Sequence, residues 1–362
     1  MNYNNSAVNR NSNNKANSFS VRCVQDCEGD GLMPSPIFFE LHKAYLEARK
    51  NKRNTINQLK LEFNLESELL ALERELLNRT YELRPSVCFI NELPVKREII
   101  AADFRDRIIH HFIYNRIYPV LDKKFIYDSY SCRIGKGTLF GVKRVQKFLK
   151  SCENPYVLRL DIQGFFMAID RKILYELTIA KLPSEELTEF LIKKIIFAEP
   201  LKNAIYRSLP SAWADLPKDK TLKHSRPDCG LPIGNLTSQI FANVYLNPLD
   251  HFVKRDLKIK LYGRYVDDLV LIHEDKKILL DAISQIRKFM LDKLKLILHP
   301  KKIKLQPASK GFSFLGAYIY PNYLKLGKRM EHNFRECIFK PSASKGKQAR
   351  IIQSYLGLLK HF

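Results

Sequence analysis

The chain has 362 residues, 45% hydrophobic and 11% aromatic, enough to bury a sizeable core in one large or two to three modest domains, which excludes a disordered protein. Its 61 Lys and Arg against 38 Asp and Glu leave a net charge of +23, the balance of a protein that meets a polyanion, either nucleic acid or an anionic membrane. No stretch approaches the roughly 18 apolar residues of a membrane span and the polar start is unlike a secretory signal, so a cytoplasmic protein with no membrane partner is expected.

The first segment, residues 1–33, is a loose leader: eight of the first 17 residues are Asn and few can pack. The seven cysteines form no regular framework and fit reduced thiols; Cys23 and Cys27 could form half of a zinc site, but no second close Cys/His pair accompanies them. From Pro36 helical spacing dominates, through Leu41 and Tyr45, then Leu59, Phe63, Leu69, Leu72 and Leu76 as far as Tyr81. Two short extended runs follow, Ser86 to Asn91 and Arg97 to Ala101, around a turn at Pro94. Asp103 is a good N-cap for a helix in which Ile108, Ile109, Phe112, Ile113 and Ile117 recur through Val120. His110 and His111 are adjacent and therefore point to different faces, which suits packing and polar contacts better than a metal. Gly135-Lys-Gly-Thr138 lacks the spaced upstream glycine of a Walker motif and reads as a turn, with Thr138 capping a helix to Lys150.

Beyond it come an apolar strand, Tyr156 to Asp161, a helix capped by Asp170, a Gly/Pro turn leading into a helix near Ser238, and a hairpin around Asp267. Strands and helices mix without a regular βαβ repeat, which predicts an α+β fold. From Lys301 to Phe362 there are 13 basic residues against two acidic ones, interleaved with Phe312, Phe314, Tyr318, Tyr320 and Tyr323, a composition suited to a nucleic-acid groove.

Chemistry is concentrated at carboxylates. The run Lys260-Leu-Tyr-Gly-Arg-Tyr-Val-Asp-Asp-Leu-Val-Leu-Ile-His273 sets Asp267 and Asp268 in the turn of a hairpin. Adjacent aspartates in a turn are ordinary by themselves. Here the following run, Leu269 to Ile272, is apolar enough to be buried, and two like charges at the edge of a core are costly without a cation. The strand Tyr156-Val-Leu-Arg-Leu-Asp161 supplies a third carboxylate. If the two strands pair, three carboxylates can hold two divalent ions roughly 3.5–4 Å apart, the arrangement used in phosphoryl transfer.

Tyr265-Val-Asp-Asp268 resembles the signature box of reverse transcriptases, and Asp161-Ile-Gln-Gly-Phe-Phe166 resembles the strand that supplies their first aspartate. With the third box, Gly230 to Gln239, between them, the resemblance covers roughly residues 80–360. It implies a right-hand polymerase: fingers over 34–154, an antiparallel palm over 155–320 and a helical thumb over 321–362. It implies catalytic Asp161, Asp267 and Asp268, a metal set of Asp161, Ile162, Asp267 and Asp268, and two Mg2+ ions for which Mn2+ can substitute. Phe166, with Phe165 beside it, matches the aromatic that excludes a 2′-hydroxyl, so deoxynucleotides are the expected substrate. Lys96 and Arg97 match finger residues that grip the triphosphate, joined at the nucleotide by Ile233 and Gly234. Arg105 and Arg107 resemble a basic patch on template or triphosphate, or are plain surface residues. Ser238, Gln239, Tyr265, Phe314, Leu315 and Gly316 would meet template and primer, the last three within Gly311-Phe-Ser-Phe-Leu-Gly316, which resembles the primer grip. Lys301 or Lys302 is the candidate general acid for pyrophosphate, and Ser354-Tyr-Leu-Gly357 resembles the thumb.

Most reverse transcriptases carry Gln where this chain has Ile233 and Pro where it has Gln239. That departure resembles the enzymes of diversity-generating retroelements, which copy a template RNA with errors at adenines. The subclass implies template RNA, cDNA, dNTPs, target DNA and a small basic oligomeric accessory protein as partners. Asn17 to Asp26 resembles the end of the proteins such elements diversify, which implies that the leader is a translated template repeat; low-complexity composition alone would also account for it. Phage-defence reverse transcriptases share similar boxes, and an inactive RNA-binding scaffold is the other reading, opposed by the intact aspartates.

Overall fold

A computed structural model describes residues 35–50, 55–92 and 95–339, with the single positions 349, 352, 353 and 357. The leader with Cys23 and Cys27, the turn at Pro94, and Ser354-Tyr-Leu of the thumb motif lie outside the described residues. The chain divides into two units, one running to Arg84 and including Asp103–Asn115, the other comprising Pro85–Ala102 and Arg116 onward.

The first unit is helical. α1 (Pro36–Ala48) starts where the Ser35 hydroxyl accepts a bond from the Ile37 amide at 3.2 Å, with Pro36 at the position where a missing N–H costs nothing. It buries Phe38, Leu41, Ala44, Tyr45 and Ala48, the expected apolar stripe. α2 (Ile56–Phe63) and α3 (Leu65–Leu77) follow, and Leu69, Leu72 and Leu76 of α3 are buried. The unit also holds α4 (Phe104–Asp122) as far as Asn115, begun by Asp103, whose carboxylate accepts from the Arg105 amide at 3.1 Å. His110 is buried, which pushes its imidazole down to about 3, so this histidine packs as a neutral ring.

Among the described residues the second unit carries all the strands. In chain order it contains β1 (Val87–Asn91), β2 (Arg97–Ala101), α5 (Thr138–Lys150), β3 (Tyr156–Asp161), α6 (Phe165–Ala168), α7 (Arg171–Ile179), α8 (Glu186–Ile196), β4 (Ile205–Tyr206), α9 (Leu236–His251), β5 (Leu261–Tyr265), β6 (Asp268–His273), α10 (Lys276–Leu294), β7 (Lys304–Pro307), β8 (Phe312–Phe314), β9 (Ala317–Ile319), β10 (Leu324–Leu326) and α11 (Lys328–Phe339). β1, β2, α5 and β3 begin and end within a residue of the sequence pattern. α5 differs at its start: Gly137, at φ 127°, occupies the cap position, and Thr138 is the first helical residue.

The strands form three sheets, ordered β2-β1-β4, β10-β9-β8 and β5-β6-β3-β7. The last is antiparallel throughout and sets the site. Because side chains alternate along a strand, Val157 on β3 and Val270 and Ile272 on β6 share one face, where they pack with Val142, Val145, Phe148 and Leu149 of α5 and with Phe312, Phe314, Ala317 and Ile319 of the β8-β9-β10 sheet. Continuing that face by steps of two gives Arg159 and Asp161 on β3 and Asp268 on β6.

The opposite face carries a polar anchor. Arg264 of β5 is fully buried and bonds Asp250 of α9 through two contacts of 2.7 Å, one from Nε and one from Nη2. The Tyr262 hydroxyl donates to the same carboxylate at 2.7 Å, and Asn243 accepts from Arg264 at 3.2 Å. On the core face Gly263 admits the Tyr130 ring, since a Cβ there would stand 2.3 Å from its hydroxyl. Asp250→Asn is expected to cost about 3–5 kcal/mol, because it leaves a buried guanidinium without its counter-charge; a lowered urea midpoint would report it.

Candidate active site

Asp161 is the last residue of β3 and lies directly opposite Asp268, the first residue of β6, in the antiparallel register. Tyr265 and Asp268 are paired across the β5-β6 hairpin, so Val266 and Asp267 form a two-residue turn. Val266 sits at φ 52°, a left-handed conformation that a β-branched residue resists. The strain is held by Arg264, whose Nη1 donates to the Val266 carbonyl at 3.0 Å. The buried pair on one face of the hairpin thus fixes the turn that projects Asp267.

The three carboxylates feel one another. Burial pushes Asp267 up to about 6, and the charges of Asp268 and Asp161 push in the same direction. Asp268 is also raised, by burial and then by Asp161, while Arg159 and Lys302 oppose the rise. Lys302 bonds Asp161 directly, Nζ to Oδ2 at 2.9 Å. Its turn is sewn to the strand end: the Gln163 amide donates to Ile297 O at 3.0 Å and the His299 amide to Asp161 O at 2.8 Å, with Ile162 bridged to Leu298.

Hard carboxylate oxygens under mutual repulsion, partly removed from water, are the donor set that a divalent cation suits. Among the described residues no three Asp, Glu, His or Cys side chains close into a finished metal cage. The fit is therefore one of donor chemistry and register. Asp161, Asp267 and Asp268 would hold the ions, and the buried hydrocarbon of Ile162 leaves only its carbonyl as a donor.

The accessory residues separate into groups. Ile233 and Gly234 lie against β2, the strand that begins with Arg97: the Ile100 amide donates to Ile233 O at 2.8 Å, and a Cβ on Gly234 would stand 2.9 Å from Ile100 O. What approaches Gly234 closely is thus backbone of the chain. At Gly230 it is the Leu222 side chain. Lys96 lies 4.0 Å from Asp215 and Arg97 is exposed. Phe166 is half-buried, whereas Phe165 is buried against Tyr245 of α9 and belongs to the core rather than to a nucleotide pocket. Ser238 is likewise buried, while its neighbour Gln239 is exposed. Tyr265 is half-buried beside Asp268. The Phe314 ring packs in the core, so the turn of Leu315 (φ 50°) and Gly316 (φ 84°) offers backbone in place of that side chain. Lys302 reaches the acidic centre; Lys301 is exposed beside it.

Two expectations fall in the first unit. Arg105 is not an outward patch: its guanidinium grips Glu75 with bonds of 2.9 and 2.7 Å and Glu68 with one of 3.0 Å, leaving the side chain 4% exposed. Arg107 is half-buried there, with its pKa lowered by burial and partly restored by Asp103. Sequence patterning missed Asp250, Arg264 and Arg159 as functional supports. The available signal was a charge inside an otherwise apolar run, at Arg159 between Leu158 and Leu160 and at Asp250 beside Leu249.

Residues 95–319 match the reverse transcriptase (RNA-dependent DNA polymerase) family. The chain belongs to that family. Its α+β architecture, with the acidic hairpin paired to the strand ending in Asp161, is a reverse transcriptase fold. Solved structures similar to it include telomerase from Candida albicans in complex with a TWJ fragment of telomeric RNA (12% identity, TM-score 0.44, covering 68% of this chain and 46% of that one). Apo telomerase from Candida tropicalis truncated from its C-terminal domain gives 13% identity, a TM-score of 0.48 and coverage of 67% and 55%; the untruncated apo telomerase gives 13%, 0.44, 69% and 50%. This reverse transcriptase chain spans about half the length of the telomerases it matches, 46–55%. No curated protein matches it in sequence. Among its described residues no helix is long and apolar enough to cross a membrane.

The raised Asp267 makes a signed prediction. Its folded pKa of about 6 exceeds the 3.8 of an ordinary aspartate, so ionising it destabilises the fold as pH rises across that window, and the loss is complete above it. In chelator, Asp267→Asn is expected to raise stability at pH 7 by about 3 kcal/mol and to leave it unchanged below about pH 3; thermal unfolding across roughly pH 3–8 measures both limbs.

Proposed function

We propose that this chain is an RNA-directed DNA polymerase that copies template RNA into cDNA by two-metal nucleotidyl transfer, with Asp161, Asp267 and Asp268 as the metal ligands. The observation that carries the reading is the register: Asp161 and Asp268 are opposite partners on one sheet face, with Asp267 in the adjoining turn. Mg2+ suits hard carboxylate and phosphate oxygens, and Mn2+ can replace it. When bound, two such ions supply activation of the primer 3′-hydroxyl and neutralisation of charge on the triphosphate and departing pyrophosphate. The chain's own groups do the rest. Arg97 and Lys96 bind the triphosphate as charge-assisted donors, Phe166 excludes a 2′-hydroxyl, and the Leu315-Gly316 turn seats the primer end. Lys302, already at Asp161, is placed to deliver a proton to pyrophosphate. Fingers over 34–154, palm over 155–320 and thumb over 321–362 are the division this activity implies.

Within the family, Ile233 and Gln239 support an error-prone enzyme of a diversity-generating retroelement, cytoplasmic, working with structured template RNA, target DNA and a small basic oligomeric accessory protein. A hydrocarbon at 233 cannot offer the amide hydrogen bond that Gln supplies, so discrimination at the nucleotide loosens.

Primer extension on an RNA template with dNTPs and Mg2+ tests the activity. The double substitution Asp267→Ala, Asp268→Ala is expected to reduce it by at least about a thousandfold with the fold intact, and undiminished extension would sink the assignment. Sequencing the cDNA tests the subclass: errors should concentrate opposite template adenines and fall when Ile233 is replaced by Gln. A flat error spectrum would remove the subclass and leave the polymerase.

A further inference from the structure

Arg159 is a charged residue with little to do in the fold itself. It leaves β3 two residues before Asp161 and on the same face, where the apolar core gives way to the carboxylates. Its guanidinium has five donors, yet the structure gives it one hydrogen bond, Nη1 to the Ser313 hydroxyl of β8 at 3.3 Å. Among the described residues no carboxylate lies within ion-pair distance of it. Nor are its remaining donors sealed away: among the described residues the buried side-chain atoms without partners are Arg49 Nε, Ser225 Oγ and Asn247 Oδ1. Burial lowers its pKa, and the charges of Asp268, Asp161 and the nearby Tyr318 hold it up.

The surroundings continue the same chemistry. Alternation puts Phe312, Phe314, Ala317 and Ile319 on the core face of the β8-β9-β10 sheet, and therefore Ser313, Tyr318 and Lys325 on the other. Those three stand in one cross-strand row, Ser313 opposite Tyr318 and Tyr318 opposite Lys325. A half-buried guanidinium with spare donors, backed by a hydroxyl and followed by a phenol and a lysine, is a site for a phosphodiester anion. It begins about 7 Å from Asp161, two residues at strand rise.

We propose that Arg159, backed by Ser313, binds a phosphodiester of the primer strand beside its 3′ end and so aligns the terminal hydroxyl with the acidic centre. The inference rests on the polymerase reading for the identity of the strand. It distinguishes Arg159 from the triphosphate-binding cations on β2, which would act on the incoming nucleotide.

The test is binding without turnover: anisotropy of a fluorescein-labelled DNA primer annealed to an RNA template, titrated with the full chain at several KCl concentrations. Arg159→Met is expected to weaken binding about tenfold and to lower the slope of log affinity against log salt by about 0.7–0.9, one phosphate contact. Arg159→Lys should keep the slope and lose part of the affinity. Primers carrying one methylphosphonate at each of the last few phosphodiesters supply a readout that a structural role would not move. One position should weaken wild-type binding about tenfold and have no further effect in Arg159→Met. The proposal is overturned if no position affects the wild-type chain, if the two losses multiply, or if Arg159→Met changes only the KM for dNTP. Extension undiminished in Asp267→Ala, Asp268→Ala with the methylphosphonate signature intact would overturn the polymerase reading and leave the phosphate contact standing.

Discussion

Inside the second unit the guanidinium of Arg264 meets the carboxylate of Asp250 through two 2.7 Å bonds, both groups shut off from water. Planar fork against planar carboxylate admits one orientation, so β5 cannot rotate or slide along α9 without separating charges in a poor dielectric. The same guanidinium reaches forward to Val266 O, while the Arg264 amide donates to Asp128 O and its carbonyl accepts from the Tyr130 amide. The acidic turn is therefore placed from behind. Its left-handed Val266 is tolerable because the residues on either side are already committed.

A second constraint is electrostatic. Two carboxylates share the end of one sheet face with a third in the adjoining turn, and the fold answers with two cations of different character. Lys302 is half-exposed and in direct contact with Asp161. Arg159 is rooted in the sheet, further from the carboxylates and bonded to a hydroxyl. A flexible ammonium and an anchored guanidinium suit different partners: the first can leave when charge is supplied from elsewhere, and the second presents fixed geometry to an anion.

Much of this was legible in the residues. Strands β1, β2 and β3, helices α4 and α9 and the β5-β6 hairpin follow from period-two or period-3.6 patterning with caps or turns at their ends. The pairing of Asp161 with Asp268 required only that two apolar strands lie side by side. What could not be read was the partner of each charged or aromatic group. Arg105 looks like surface in a one-dimensional reading, because Glu68 and Glu75 lie more than a helix away along the chain. Phe165 and Phe166 are indistinguishable until Tyr245 claims the first, and Ser238 and Gln239 until α9 is rotated against its neighbours. At Gly230 and Gly234 what comes close is the Leu222 side chain and the backbone of β2.

The bonds joining residues 161–163 to 297–299 have a mechanical meaning. With Asp161 O and Gln163 N both tied to that segment, the strand end and the turn bearing Lys302 form one body, and a displacement of β3 carries the turn along with it. Breathing of the sheet does not open the Asp161–Lys302 contact. Only rotation about the lysine's own bonds does, a swing of a four-carbon arm on a pivot fixed relative to the carboxylate. For an exposed side chain such a swing takes picoseconds to nanoseconds, far faster than any loop opening.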